Sequence, residues 1–205
     1  MNAAATEFVV FDVETTGLSP VDGDRIIELA AARVRGGRIV ETFESYLNPQ
    51  RDIPEQSQRI HNISAEMVAD APLAADVLPR FIEFVAGACL CGQNVKFDLD
   101  FVCYEAGLAG CALRAETPAI DTIKMARYFL PQLTTYRLSS LAQAVGLKVG
   151  TTHRAMADVE LTVGVLNRLI MLAEEQGFTQ FKDILREFGV LKPKFRLAQN
   201  QDLLF

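Results

Sequence analysis

Histidine and cysteine are scarce in this 205-residue chain, positive charge is in the minority, and long apolar runs are missing. No run approaches the length needed to span a bilayer, and no charged-then-apolar signal follows Met1. A cytoplasmic chain without membrane contact is expected. The four cysteines, Cys89, Cys91, Cys103 and Cys111, stand in no zinc-ligand spacing. Cys89 and Cys91 fall on one face of a short strand, where they act as small hydrophobes, which suits a reducing compartment. A net charge of −6 makes the surface as a whole no trap for polyanions and weakens any reading as a basic nucleic-acid-binding module. It leaves open an enzyme whose acidic site is neutralised by metal before a phosphate approaches. There is no internal repeat and no low-complexity tract. Half the residues are hydrophobic, enough for a sizeable core in one domain.

The chain is organised around Phe8 to Leu18, F-V-V-F-D-V-E-T-T-G-L. Phe8 to Phe11 have the length and composition of a strand buried on both faces. Strand side chains alternate, so Asp12 and Glu14 point to one side of that strand's end. Two carboxylates there repel each other and lose hydration unless partners neutralise them, and divalent cations are the usual partners. The alternative is that Asp12 ends the strand and Glu14 is solvated in the turn. Strands follow over Ile26 to Arg35 and Arg38 to Leu47, joined by a Gly36-Gly37 hairpin. Asn48 to Ser57 reads as a polar loop, and Ser64 as the cap of a brief helix. Helical spacing begins at Pro72 and stops at Gly87; Ala88 to Gly92 is a short buried strand. Asn94 is expected to cap a helix ending at Gly107. Ala119 to Asp121 forms a last strand, followed by helices over Thr122–Leu130, Leu138–Val145, Ala155–Glu175 and Phe178–Phe188. Strands first, then strands alternating with helices, give an α/β chain with a mixed sheet flanked by helices. Residues 1–189 form the expected domain, and 190–205, without periodicity, a tail.

Two further stretches carry chemistry. Asp98 follows a buried strand on the first turns of a helix, the junction at which open α/β sheets bind ligands. Thr151 to Asp158 reads T-T-H-R-A-M-A-D. His153 and Asp158 are five residues apart, which on one helix separates them in angle. His153 is therefore expected on a loop before the helix, with Asp158 on its first turns.

Together, F-D-V-E-T-T-G-L, N-V-K-F-D and H-R-A-M-A-D resemble the three exonuclease motifs of the DEDD superfamily, in its histidine-containing branch. That branch includes the proofreading epsilon subunit of bacterial replicative DNA polymerase, ribonuclease T and oligoribonuclease. The resemblance spans about residues 6 to 175, with motif order and spacing kept. It implies a ribonuclease H-like, five-stranded mixed sheet. It places the acidic positions on Asp12, Glu14, Asp98 and Asp158 and the general base on His153. None of the five is substituted. Two divalent ions roughly 3.5–4 Å apart would activate water and stabilise the leaving oxygen in phosphodiester hydrolysis. Oxygen ligands suit Mg²⁺ or Mn²⁺ rather than zinc. Asp12 is assigned to bridge both ions, Glu14 and Asp158 to the water-activating one, and Asp98 to act mainly through water. A histidine can take a proton near neutral pH, and a loop position lets it swing toward substrate.

The resemblance also implies contacts to a terminal nucleotide: backbone N–H groups and hydroxyls of Thr15, Thr16 and Gly17, Leu18 against the base, and His61 and Asn94 near the 3′ end. His61 reads equally as a loop histidine. Phe97 is expected to pack more than to stack. The last residues, Gln201-Asp202-Leu203-Leu204-Phe205, resemble peptides that dock onto the bacterial sliding clamp, with Gln201, Leu203, Leu204 and Phe205 as the contacts. The other reading is that this end folds back on its own domain. Three functions stand in order: a DNA 3′→5′ exonuclease of the proofreading or repair type, in which case a DNA polymerase is a partner; an RNA 3′-end-trimming relative; and a non-catalytic module for 3′ ends or a partner. The clamp-like tail favours DNA over RNA.

Overall fold

The computed structural model describes residues 6–150 and 153–195. The clamp-like residues Gln201, Leu203, Leu204 and Phe205 lie outside the described residues.

A five-stranded sheet carries the fold. Its strands are β1 (Phe8–Thr15), β2 (Ile26–Arg35), β3 (Arg38–Tyr46), β4 (Cys89–Gly92) and β5 (Ala119–Asp121), in spatial order β3-β2-β1-β4-β5. The β1–β2 and β2–β3 pairs are antiparallel; β1–β4 and β4–β5 are parallel. Gly36 and Gly37 both take positive φ, 55° and 74°, at the β2–β3 hairpin, the backbone such a turn demands and side chains resist.

Among the described residues, eight α-helices cover the sheet: α1 (Glu55–His61), α2 (Ala65–Val68), α3 (Ala74–Phe84), α4 (Val95–Leu108), α5 (Thr122–Phe129), α6 (Leu138–Ala144), α7 (Ala155–Glu175) and α8 (Phe181–Phe188). Strand alternation divides the core in two. Phe8 and Val10 of β1, Ala30 and Ala32 of β2, and both strand cysteines, Cys89 and Cys91, face α7 with its Val159, Val163, Leu166 and Leu169. Val9, Phe11 and Val13 face the other way, toward Val77 and Phe81 of α3 and Leu99 and Val102 of α4. Burying each such side chain contributes about 1.5–3 kcal/mol. Small Ala30 and Ala32 leave room for α7 to lie against the sheet centre.

The structure departs from the sequence expectations in four places. Helix α1 lies across what reads as a polar loop and segment, because Pro54 presets its own φ at −58° and starts a helix on the polar run Glu55-Gln56-Ser57-Gln58. Helix α4 continues through Gly107 to Leu108. Ser64 and Asn94 sit at the N-caps of α2 and α4, yet neither side chain makes a capping hydrogen bond. Asn94 is held instead in the left-handed region, φ 60°, with its N–H donating to Asp121 Oδ1 at 3.3 Å. Residues 189–195 stay against the domain: Val190 N–H donates to Ala119 O of β5 at 2.8 Å, and Phe195 meets Tyr104 of α4 edge-on.

Candidate active site

The face of β1 that points at α7 runs Phe8, Val10, Asp12, Glu14. Apolar packing thus gives way to two carboxylates at the point where α7 begins. Asp158 stands in the first turn of α7 and reaches the same spot. One carboxylate oxygen from each of Asp12, Glu14 and Asp158 lies within 4.8 Å of the other two, and all three side chains are partly buried. Asp158 Oδ2 accepts the His153 N–H at 3.0 Å, while its buried Oδ1 has no hydrogen-bond partner. His153 precedes α7, exposed and in the left-handed region at φ 64°. The five-residue spacing is therefore resolved as expected: loop histidine, helix aspartate, joined through a backbone bond.

Asp98 comes from the opposite face. β4 ends at Gly92, which leaves the Val13 N–H of β1 without a strand partner on that side; Asp98 Oδ1 accepts it at 3.1 Å. Asp98 is buried and stands behind the trio rather than within it, though its charge is felt at Asp12.

Burial and mutual repulsion dominate the electrostatics. Burial first, then Asp98, Glu14 and Asp158, hold Asp12 well above the carboxylate range. Burial, then Asp158 and Glu28, push Glu14 up to about 8, with Arg154 opposing. Asp158 is raised by burial and partly relieved by the His153 N–H. Asp98 is raised by burial against the Val13 N–H. Such a group lacks positive charge of its own. An orphaned buried carboxylate oxygen and three hard oxygen donors at one point fit Mg²⁺ or Mn²⁺. Asp12, Glu14 and Asp158 are the residues that would hold it.

Residues that reading the sequence missed keep this group in place. Glu28, buried on β2 and paired in register with Glu14, accepts Arg154 Nη2 at 2.9 Å and the Ala155 N–H at 3.0 Å. Arg154 Nη2 also donates to Tyr46 Oη at 2.6 Å. Glu28 therefore caps α7 from across the sheet and fixes the helix end that carries Asp158. The sequence does hold a signal for it: an acid inside the apolar run of β2 is as costly as Asp12 is in β1. Glu105, buried on α4, likewise accepts the Ile26 N–H at 2.7 Å and Arg25 Nη2 at 3.0 Å, tying the Asp98 helix to β2.

Beside Glu14 opens a pocket of about 410 Å³ lined by Thr15, Thr16, Gly17, Leu18, His61 and Phe97, among others. Leu18 is 83% exposed at its rim. His61 is buried at the end of α1; its Nδ1 accepts the Ile63 N–H at 3.0 Å and its Nε2 has no partner. Nδ1 as acceptor makes Nε2 the protonated nitrogen of a neutral ring, and burial lowers its pKa to keep it so. It is a donor in want of an acceptor. Phe97 packs on Phe101, centroids 5.1 Å apart, while still lining the pocket. Two expectations change. The Thr15 and Thr16 hydroxyls are already engaged, donating to Gly17 O at 2.6 Å and Asp24 Oδ1 at 3.2 Å. Asn94, exposed and turned by its bond to Asp121, does not line the pocket. A Cβ at Gly17 would fall 2.3 Å from the Asp24 carboxylate, so that side chain, held by the Thr16 hydroxyl and the Ser19 N–H, would have to move.

A family model described as Exonuclease matches residues 9–166. The chain belongs to the exonuclease family. It is 38% identical over 178 residues to the DNA polymerase III PolC-type of Caldanaerobacter subterraneus subsp. tengcongensis, covering 87% of this chain and 12% of that protein. It is 34% identical over 179 residues to the 3′-5′ exonuclease DinG of Bacillus subtilis, covering 87% of this chain and 19% of that protein. This chain thus spans under a fifth of the length of either relative. Among solved structures, exonuclease X in complex with 5′ overhanging duplex DNA superposes with a TM-score of 0.68 at 26% identity, over 87% of this chain and 98% of that one. The exonuclease fold expected from the three motifs is the fold of this chain, and the carboxylate trio sits within the matched region. Among the described residues no helix is long and apolar enough to cross a membrane.

Proposed function

We propose that this chain is a 3′→5′ exonuclease domain releasing nucleoside monophosphates from DNA 3′ ends. The convergence of Asp12, Glu14 and Asp158 within 4.8 Å carries the reading. Asp12, Glu14 and Asp158 would hold two divalent cations, Mg²⁺ or Mn²⁺, with Asp98 steadying β1 behind them and contributing through water. Bound there, the ions supply an acidified water and charge for the leaving 3′ oxygen. His153 stands at the mouth beside Asp158 and takes the proton from the attacking water. The terminal nucleotide enters the pocket beside Glu14, with Leu18 and Phe97 against its base and His61 Nε2–H donating to a sugar or phosphate oxygen. Thr15 to Gly17 shape that pocket's floor rather than offering hydroxyl donors. Contacts to stacking faces, sugar and phosphate make sequence preference weak. The name of the PolC-type relative and the duplex DNA bound by exonuclease X support DNA as the working substrate, and the PolC-type name supports a DNA polymerase as a partner. The sliding clamp is proposed as a further partner on the sequence of residues 201–205 alone.

Labelled single-stranded DNA and RNA oligonucleotides, incubated with Mg²⁺ or Mn²⁺, test this. Stepwise shortening of DNA from its 3′ end, with monophosphate products and none in EDTA, is the expected result. RNA loss with DNA spared would overturn the substrate, and loss of neither would overturn the enzyme.

A further inference from the structure

One wall of the nucleotide pocket is the loop that carries β1 into β2, with a short 3₁₀ turn at Pro20–Asp22. Leu18 stands on it, 83% exposed. A side chain so exposed has no packing of its own to fix it, so its place is set by the backbone on either side. Asp24 supplies that setting. Its Oδ1 accepts the Thr16 hydroxyl at 3.2 Å, and its Oδ2 accepts the Ser19 N–H at 3.1 Å. One carboxylate thus bridges the residues that flank Gly17 and Leu18, lying in the space a Cβ at Gly17 would take. The base of the loop is closed by Thr16 N–H to Arg25 O at 2.9 Å and Asp24 N–H to Ser19 O at 3.1 Å.

The same carboxylate ties this wall to the one opposite. Arg51 Nη1, from the segment between β3 and α1, donates to Asp24 Oδ1 at 3.1 Å and also to Gly23 O. The Ser57 hydroxyl of α1 donates to Thr16 O at 2.8 Å. Helix α1 brings Ile60 and His61 to the pocket, so these bonds join its two sides. The Arg51–Asp24 pair is part exposed, 37% and 18%, and therefore contributes little to overall stability. What it fixes is the spacing of the walls. A pocket held in shape beforehand loses little entropy when a nucleotide enters. Asp24 stands outside the converging trio and already accepts from Thr16, Ser19 and Arg51, so its work is positioning rather than chemistry.

We infer that Asp24 is a positioning residue for the terminal nucleotide, an inference that rests on the exonuclease reading above. By bracketing Gly17 and Leu18 and holding Arg51, it sets the gap between the loop and α1 that the nucleotide enters. Asp24 acts through Leu18 and the loop backbone. Its removal is therefore felt in how tightly a 3′ end is held more than in how fast the held end is cleaved.

The test compares the full wild-type chain with Asp24→Ala and Asp24→Asn on a single-stranded DNA octanucleotide in Mg²⁺. Asp24→Ala should raise KM about tenfold, with kcat falling far less. Inhibition by thymidine 5′-monophosphate, which fills the terminal pocket alone, should weaken by a similar factor. Asp24→Asn keeps one acceptor oxygen and should recover part of the affinity. Arg51→Ala, which leaves the loop's own bonds in place, should raise KM in the same direction, so the test stands even where Asp24→Ala fails to fold. Combined with Asp24→Ala it should add little, because the two act on one contact. A merely structural role lowers the melting temperature and the active fraction, hence the apparent kcat, with KM unmoved. That outcome would overturn the assignment. Fluorescence anisotropy of a 5′-labelled octanucleotide in Ca²⁺ reads the pocket without turnover. If the wild type binds but hydrolyses nothing, the exonuclease reading fails, while weaker binding by Asp24→Ala still upholds the assignment. If both Asp24→Ala and Arg51→Ala bind as the wild type does, the assignment fails.

Discussion

Asp12→Ala is expected to abolish turnover while leaving the metal-free protein more stable than the wild type. The catalytic loss, at least roughly 10³-fold in kcat, follows from the proposal that Asp12 would serve both ions. The gain in stability follows from burial. Asp12 sits among Asp98, Glu14 and Asp158 and is held well above the carboxylate range. Removing it relieves repulsion in Asp98 and Glu14 alike and raises the metal-free melting temperature by roughly 2–4 °C. The effect depends on pH with a definite sign. Asp12 and Glu14 are acids whose folded pKa is raised, Glu14 to about 8. Between the ordinary carboxylate value and the raised one, the folded chain binds more protons than the unfolded chain. Wild-type stability without metal is therefore full at acid pH and lost as pH climbs through 8. Asp12→Ala should show a shallower decline, and added Mg²⁺ should stabilise the wild type most at the alkaline end. Calorimetry in EDTA and in Mg²⁺ across pH 5 to about 9 checks both. Retained turnover in this variant, or a melting temperature that climbs with pH in EDTA, would contradict the metal-site account.

Glu28→Ala is expected to lose both stability and turnover although Glu28 is not among the three converging carboxylates. Its carboxylate takes the Arg154 guanidinium and the Ala155 N–H together. Truncation leaves Arg154 with Tyr46 alone and frees the capped end of α7. Arg154 is partly exposed, so the loss is below that of a fully buried pair, about 2–3 kcal/mol. The end of α7 that moves carries Asp158 and the His153 backbone bond. Displacement of about 1 Å there costs about 10²-fold in rate. Glu28→Gln, which keeps the shape and one acceptor, should recover most of the stability and part of the rate. Urea melts and kcat for the two variants separate positioning from chemistry; a Glu28→Ala enzyme with wild-type kcat would dismiss the clamp.

The trio is legible in the sequence because charge inside a buried strand is expensive and must be explained. Phe8 to Phe11 announce the burial, and period-two alternation alone puts Asp12 and Glu14 on one face. The spacing of His153 and Asp158 similarly places one before the helix and the other on it. Glu28 carries the same signal in β2, but the sequence does not say that α7 will lie across that strand. The threonine hydroxyls escape for a related reason. Their acceptors, Gly17 O and Asp24 Oδ1, are chosen by how the turn closes, with Asp24 eight residues beyond Thr16. Helix α1 is hidden because its few inward side chains, His61 among them, leave no apolar period over so short a span. Asn94 has the right residue type for a cap, but Asp121, 27 residues later, claims its backbone N–H.

Everything rests on oxygen atoms of Asp12, Glu14 and Asp158 gathering divalent ions at one point. Titration of the full chain with Mn²⁺ in the presence of a nucleoside 5′-monophosphate, followed by electron paramagnetic resonance, measures that directly. The account predicts two bound Mn²⁺ per wild-type chain and their loss in Asp12→Ala. Wild-type and variant chains that bind Mn²⁺ equally, or not at all, would contradict it.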